Sequence, residues 1–476
     1  MTLLEPTPRT SPGFLVDDVH ARLSATHVRA IHTPRDAEEV AGLVADAAQR
    51  GLAVTVAGGR NAMARQAFGT DALLVDTSAL TRVRGLDRTA RTIEVEAGIQ
   101  WPELIAATHT FDLPGEAPLG IVQKQTGVDR ASLGGSVAVN AHGRGLALPP
   151  LGGQVEALEV VRPDGALVRC SRDVEPELFS LVLGGYGLCG VTTAVTLRLA
   201  ERAYVRRQVE LRETDGLMEV LHERSAQGFR YGDLQFDIDP ASDGFLRRGV
   251  LSCYEPVAER PAAPSTSFRL DAARWRELVF LAHTDKRRAF ELYAALYQRT
   301  DGQVYESDTH QLATYIEGYH AELDARLGAT CRGTEVITEL FVPRPAFEAF
   351  LVDLRATLRR TEADVVYGTI RVIERDEDAF LAWAREPWAC VVLNLHVTHS
   401  PAGLDLAARQ FRAAIDAALG HGGSFYLTYH AWATADQLRA GHPRLVEFLA
   451  RKAALDPRDT LRSDWLTTLR ARLGEG

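Results

Sequence analysis

One stretch, residues 128–143 (VDRASLGGSVAVNAHG), constrains this chain more than any other. Its residues are small, and Gly134 and Gly135 lie side by side. Such a run has no side-chain volume for a core of its own, so its backbone must lie close to another surface. A second stretch of the same kind, residues 54–61 (VTVAGGRN), lies upstream and follows a predicted strand. Two backbone-approach segments in one N-terminal region point to a large, flat, diphosphate-bearing cofactor. Neither segment carries G-x-G-x-x-G or G-x-x-x-x-G-K-[ST], so a Rossmann site and a P-loop are unsupported. What remains is backbone N–H groups on irregular loops, which can hold phosphate oxygens without a helix N-terminus.

At 476 residues the chain is expected to form two or three domains. A hydrophobic content of 46% and a charged content of 24% fit a globular protein. The formal net charge is -10, and Lys124, Lys286 and Lys452 are the only lysines. That balance argues against nucleic acid or an anionic membrane as partner. Five cysteines are scattered, with no C-x-x-C pair, which suggests free thiols in a reducing compartment and hence a cytoplasmic protein. Residues 1–14 show no basic stretch followed by an apolar run, so no signal peptide is expected, and no stretch is apolar enough to insert in a membrane.

Periodicity predicts a short helix over 16–23, a strand over 28–31, and a helix over 35–51 with Gly51 at its C-terminal cap. Strands are predicted over 54–57, 73–76 and 92–96, and a helix over 101–108. A hairpin-like pair, 155–161 with 167–170, turns at Pro163-Asp164-Gly165. A helix over 177–183 and a strand over 191–199 follow. Beyond a boundary near Glu201, strands (205–211, 334–341, 391–397) alternate with helices (215–225, 344–361, 404–419), as in a second α+β domain with an antiparallel sheet. Residues 255–266 read as a Pro/Ala-rich loop, and 443–473 as a helical tail.

The ordered set Pro34, Glu38-Glu39-Val40, Gly51, Val56-Ala57-Gly58-Gly59-Arg60, Gln66, Gly69, Asp76, Glu96-Ala97-Gly98, Gly134-Gly135-Ser136-Val137, Asn140-Ala141-His142-Gly143 and Leu183-Gly184-Gly185-Tyr186-Gly187 to Gly190-Val191 resembles the PCMH-type FAD-binding domain of the vanillyl-alcohol-oxidase superfamily. The resemblance spans roughly residues 28–200. Ala141-His142-Gly143 with Leu148-Pro149-Pro150 is similar to aldonolactone oxidoreductases, and Ser463-Asp464 to decaprenylphosphoryl-ribose oxidases. It implies an α+β fold: an FAD domain of two subdomains (1–204), a cap or substrate domain with an antiparallel sheet (205–430), and a C-terminal return to the FAD domain (431–476). By the same resemblance, Ala57, Gly58, Gly59, Arg60 and Asn61 would hold the pyrophosphate. Gly127, Ser132, Gly134, Gly135, Val139, Asn140 and His142 would follow the ribityl chain and ring, and Gly190 and Val191 the adenosine half. Many members link FAD through a His in the first Gly segment; Asn61 stands at that position, and no Cys lies between 120 and 150, so non-covalent FAD is expected.

For the chemistry, the sequence offers polar residues on predicted strands. Over 424–430, alternation would put Tyr426, Thr428 and His430 on one face and Phe425, Leu427 and Tyr429 on the other. Only a bulge would bring Tyr426 and Tyr429 to the flavin together. The resemblance places a substrate-contacting Lys at the position of Tyr429. Asn394, His396 and Thr398 share a face, as do Glu335, Ile337 and Glu339; Arg371 and Glu374 lie in a similar context. The implied reaction is hydride transfer from a hydroxyl-bearing carbon of a small molecule to the flavin, with reoxidation by oxygen or another acceptor. Tyr429, His430, Tyr426, Glu339, His396 and Asn394 are the candidates for base and substrate orientation. A redox-neutral flavoprotein acting with a partner and a flavin-free binding protein on the same fold are the alternatives. No metal site is expected, because His396 and His399 on a strand point to opposite faces.

Overall fold

The computed structural model describes residues 13–258, 268, 270–313, 316 and 318–474. Residues 1–12 and most of the predicted loop 255–266 lie outside the described residues, although the strand Arg248–Val257 runs into the start of that loop.

The fold is α+β, in four sheets. A parallel sheet, ordered Ala30–His32, Leu73–Asp76, Val54–Ala57, carries the helix Ala37–Gln49, whose Val40, Leu43, Val44 and Ala47 are buried at helical spacing. Asp36 caps its first turn by accepting from the Glu39 N–H, and Gly51 follows its end at φ 64°. A six-stranded antiparallel sheet holds Leu167–Ser171, Val155–Val161, Val191–Glu201, Thr92–Glu96 and Val83–Asp87 in that order, with Leu119–Ile121 paired to the end of Val191–Glu201.

The eight-stranded sheet is antiparallel throughout and runs Val304–Glu306, Tyr204–Glu213, Arg248–Val257, Tyr231–Phe236, Val365–Ile373, Trp388–Thr398, Gly333–Pro343, Ser424–Phe425. Its two faces differ in chemistry. Val336, Leu340, Leu393, Leu395, Ile370 and Leu234 share one face and one core with the helices Phe347–Arg360 and Pro401–Gly420. The opposite face carries Glu335, Glu339, Asn394, Thr369, Arg371 and Gln235, and all but Asn394 and Gln235 are buried. The C-terminal tail returns to the parallel sheet: Val54 donates to Thr460, Arg462 donates to Val54, and Thr70 bonds Asp464 through both its N–H and its hydroxyl.

Several sequence expectations are corrected. Residues 16–23 are not a helix. The Asp18 carboxylate accepts from the N–H groups of His20, Arg22 and Leu23, which folds the segment into a side-chain-capped turn. The strand over 28–31 breaks at Arg29, where the chain passes from the two-stranded sheet with Phe14–Val16 to the parallel sheet. The second Gly segment is not an irregular loop throughout: Leu133–Ala138 is a short helix capped by Ser132. The helical tail is interrupted between Leu445–Leu455 and Asp464–Leu473 by the extended stretch that lies along Val54. The strand predicted over 424–430 ends at Phe425, because Leu427 and Thr428 turn their carbonyls to the Gln66 side chain.

Asn140 joins the Gly segment to the cap. It sits at φ 47°, its Nδ2 donates to Asp376 at 2.8 Å, its Oδ1 accepts from Gly152 at 2.8 Å, and its carbonyl accepts from the Trp383 indole. Asn140→Ala strands a buried carboxylate and a buried N–H, and is expected to lower unfolding stability by about 1–3 kcal/mol, read as a fall in melting temperature.

Candidate active site

A cavity runs between the two Gly segments and the cap sheet. Gly58, Gly59, Arg60 and Asn61 line it from one side; Ser132, Gly134, Gly135 and Val139 from another; Gly190 and Val191 from a third. The two Gly segments touch. A Cβ on Gly58 would stand 2.0 Å from Ser132 Oγ, and one on Gly59 would stand 2.4 Å from the Arg130 carbonyl. Arg60 adopts φ 55°, and its guanidinium is tied to Asp76 at 2.7 Å. Among the described residues, none accepts a hydrogen bond from the N–H of Gly59, Arg60 or Asn61. Successive free N–H groups at a left-handed residue are suited to an anionic diphosphate.

Three predicted cofactor residues are placed elsewhere. Ala57 is buried in a small core with Val28, Phe68 and Leu74. Gly127, at φ 82°, does not line the cavity, although Gln125, Thr126 and Val128 do. The Asn140 side chain is committed to Asp376 and Gly152.

The same cavity is lined by His142, Glu339, Arg371, Tyr426, Thr428 and Tyr429. His142 comes from the Gly segment and Glu339 from the strand Gly333–Pro343; they meet at 2.5 Å between Nε2 and Oε2. Tyr429 Oη donates to the other Glu339 oxygen at 2.9 Å. His142 Nδ1 lies 3.1 Å from the Gly143 carbonyl, which can only accept, so Nδ1 carries a hydrogen. Nε2 faces a carboxylate oxygen too closely for two lone pairs, so a further proton lies between them. Burial pushes the Glu339 pKa up, but His142, Arg371 and Tyr429 together outweigh it and hold the carboxyl below the usual range. His142 and Glu339 thus form a close, buried pair. Phe341, Trp383 and Tyr426 surround the imidazole, with centroids 5.3–6.4 Å away, and keep water from it. Burial, and then Glu339, push the Tyr429 hydroxyl well above its ordinary value, so it remains a donor.

Because the strand stops at Phe425, Tyr426 and Tyr429 both reach the cavity, and the chain leaves the ladder where a bulge was required. Tyr426 Oη donates to the Val139 carbonyl at 2.6 Å. His430 lies outside the cavity, packed against Phe411 and Trp432 with Nε2 near Thr338 Oγ1; burial lowers its pKa to about 3. His396 sits beside Glu335 on the same sheet face as Glu339, and Asn394 lies opposite Ile337 with Oδ1 buried and unpartnered. Glu374 pairs with Arg344. Sequence reasoning missed His20, whose Nε2 lies 2.8 Å from Asn61 Oδ1 and which lines the cavity, and Trp383; neither stands in a motif.

Residues 28–171 match the family described as FAD binding domain. The region is an FAD-binding domain of the PCMH type, and FAD is its cofactor. Several known proteins are similar to this chain in sequence. The L-galactono-1,4-lactone dehydrogenase 1, mitochondrial, of Oryza sativa subsp. japonica is 33% identical over 27% of this chain and 21% of its own length. The alditol oxidase of Streptomyces sp. (strain IKD472 / FERM P-14339) is 27% identical over 92% of this chain and 95% of its own length. The L-gulono-1,4-lactone dehydrogenase of Mycobacterium tuberculosis (strain ATCC 25618 / H37Rv) is 24% identical over 92% and 94%. The match thus spans only about a fifth of the rice relative but nearly all of the two bacterial ones. The FAD-binding match and the full-length likeness to the alditol oxidase support placing the chain with the vanillyl-alcohol-oxidase superfamily of FAD-binding proteins. No helix among the described residues is long and apolar enough to cross a membrane.

Gly59→Ala forces the Gly segments apart at a backbone carbonyl. It is expected to lower FAD occupancy of the purified protein at least about tenfold, equivalent to about 1.4 kcal/mol, measured by visible absorbance per chain.

Proposed function

We propose that this chain is an FAD-dependent oxidoreductase that oxidises a hydroxyl-bearing small molecule, of the polyol or aldonolactone kind, with oxygen or another acceptor closing the cycle. The observation that carries this reading is the buried His142–Glu339–Tyr429 cluster on the wall of the FAD cavity. The names of the full-length relatives, an alditol oxidase and a lactone dehydrogenase, support the substrate class. So does the polar face of the cap sheet. Gln235 Oε1, Ser252 Oγ, Thr369 Oγ1, Arg371 Nε and Asn394 Oδ1 are buried there without protein partners. Buried polar atoms are rarely left unpaired, and substrate hydroxyls would satisfy such a row. From Glu339 to Gln235 the row crosses three strand spacings, about 14 Å, enough for an extended sugar alcohol.

FAD in this cavity supplies a hydride acceptor. The residues do the rest. Glu339 receives the substrate hydroxyl proton as the carbon gives up hydride. His142 keeps that carboxylate ionised and fixed. Tyr429 holds its second oxygen in line, and the Arg371 guanidinium favours the developing alkoxide. Asn61, hydrogen-bonded to Gly59 and His20, offers no nucleophile, which supports non-covalent FAD. The three-part division 1–204, 205–430 and 431–476 assigns the first part to FAD, the second to substrate and the third to closing the FAD domain. Cys170, Cys189, Cys253, Cys331 and Cys390 are free thiols, as suits the cytoplasm.

Glu339→Gln is expected to keep FAD and lower kcat/KM on polyols by about 10²–10⁴-fold. Full activity in this variant would remove the proposed base. Because the wild-type carboxyl sits below the usual glutamate range, activity should hold through mildly acidic pH and fall only as pH drops below that range. Acid precipitation should release the yellow colour to the supernatant; colour in the pellet would overturn non-covalent binding.

A further inference from the structure

A second cluster stands on the polar sheet face, four residues along the strand from Glu339, about 13 Å away. Glu335 and His396 are cross-strand partners on Gly333–Pro343 and Trp388–Thr398. His283 reaches them from the helix Ala272–Thr284, and His320 from the helix Tyr319–Leu327. His283 Nε2 lies 3.3 Å from Glu335 Oε1, His396 Nδ1 lies 3.3 Å from the same oxygen, and His320 Nε2 lies 2.5 Å from Oε2. The ligand atoms of His283, Glu335 and His396 all fall within 4.8 Å of one another.

We propose that His283, Glu335 and His396 form a zinc site that pins the helix Ala272–Thr284 over the polar face of the cap sheet, with His320 holding the second carboxylate oxygen.

Three observations support it. First, the spacing is that of a coordination shell. Bonds of roughly 2.0–2.1 Å to a tetrahedral ion place neighbouring donors about 3.3 Å apart, the separation found twice here and long for a charge-assisted hydrogen bond. Second, the His283 side chain is only 4% exposed, and its Nε2 faces the Glu335 carboxylate at 3.3 Å without the alignment of a hydrogen bond. A buried nitrogen so placed suits a shared ion. Third, the backbone is shaped for the ring. A Cβ on Gly333 would stand 2.3 Å from His396 Cε1, so glycine alone lets that imidazole lie against the strand. Tyr319 donates to Glu335 and stacks on His320, and so orients the carboxylate from outside the shell. Two imidazoles and one carboxylate suit zinc, with the fourth position left to water.

The competing arrangement is an ion-pair network of the same residues with no metal. Protein freed of affinity tags, with FAD bound, is dialysed against metal-free buffer and assayed for zinc by mass spectrometry. About one zinc per chain is expected; EDTA should remove it and lower the melting temperature, and zinc alone should restore both. Cobalt(II) in place of zinc should give the intense visible bands of a four-coordinate ion. His283→Gln should lose at least about tenfold in zinc affinity while FAD content and polyol turnover per flavin persist. Wild-type protein that takes up no zinc from excess, and melts identically with and without EDTA, overturns the site whether or not the variant folds. Retention of FAD in that case leaves the reading of the cavity untouched.

Discussion

The contact on which this architecture turns is the 2.5 Å approach of His142 Nε2 to Glu339 Oε2, and the proton is the one that this hydrogen bond requires. The histidine belongs to a segment that can approach a flat ligand only because its neighbours are small. The glutamate belongs to the middle of an eleven-residue cap strand. A buried ion pair contributes little net stability, because removing two charges from water offsets their attraction. Its worth here is positional. The donors around Glu339 hold it ionised within an aromatic wall, next to the surface where a substrate carbon must lie. Cap register therefore matters: a one-residue slip would turn Glu339 to the apolar face and leave His142 without its partner.

The joint around that proton is redundant. Asn140 ties the Gly segment to Asp376, the Trp383 indole binds the Asn140 carbonyl, Tyr426 binds the Val139 carbonyl, and Arg172 grips Asp378. The first three start within a few residues of His142, and Arg172 adds a fourth link farther along the chain. This is why Asn140, which reads as a cofactor contact, is spent on the protein itself. A left-handed, fully buried Asn beside a ligand site holds the wall in place, and the wall touches the ligand.

Much of the fold was legible because it rests on local periodicity. The helix Ala37–Gln49 and the strands Leu73–Asp76 and Thr92–Glu96 follow from spacing and caps alone. The FAD segments were legible because close backbone approach leaves a compositional trace. Failures came where a side chain replaced a backbone partner: Asp18 capping a turn in place of a helix, Gln66 drawing 427–428 out of a strand. His430 was misleading for the same reason. Period-two alternation was applied to residues that had already left the sheet, so Tyr429 entered the cavity and His430 turned into the core.

The His/Glu cluster was illegible for a different reason. Its four members come from two strands and two helices, separated by up to 113 positions in sequence (283 to 396), and no spacing rule spans that. The one local signal, His396-x-x-His399, pointed the wrong way. Its two rings do part, His396 to Glu335 and His399 to Thr334 across the sheet, yet His396 still gathers partners from elsewhere in the chain. Glu335 and Glu339 thus share a strand face but serve opposite ends of it. The second meets the FAD domain, and the first anchors the helices that roof the polar face between them. Of the unpaired polar atoms on that face, only Arg371 belongs to a residue that borders the cavity beside Glu339, so the guanidinium links the carboxylate to the roofed row.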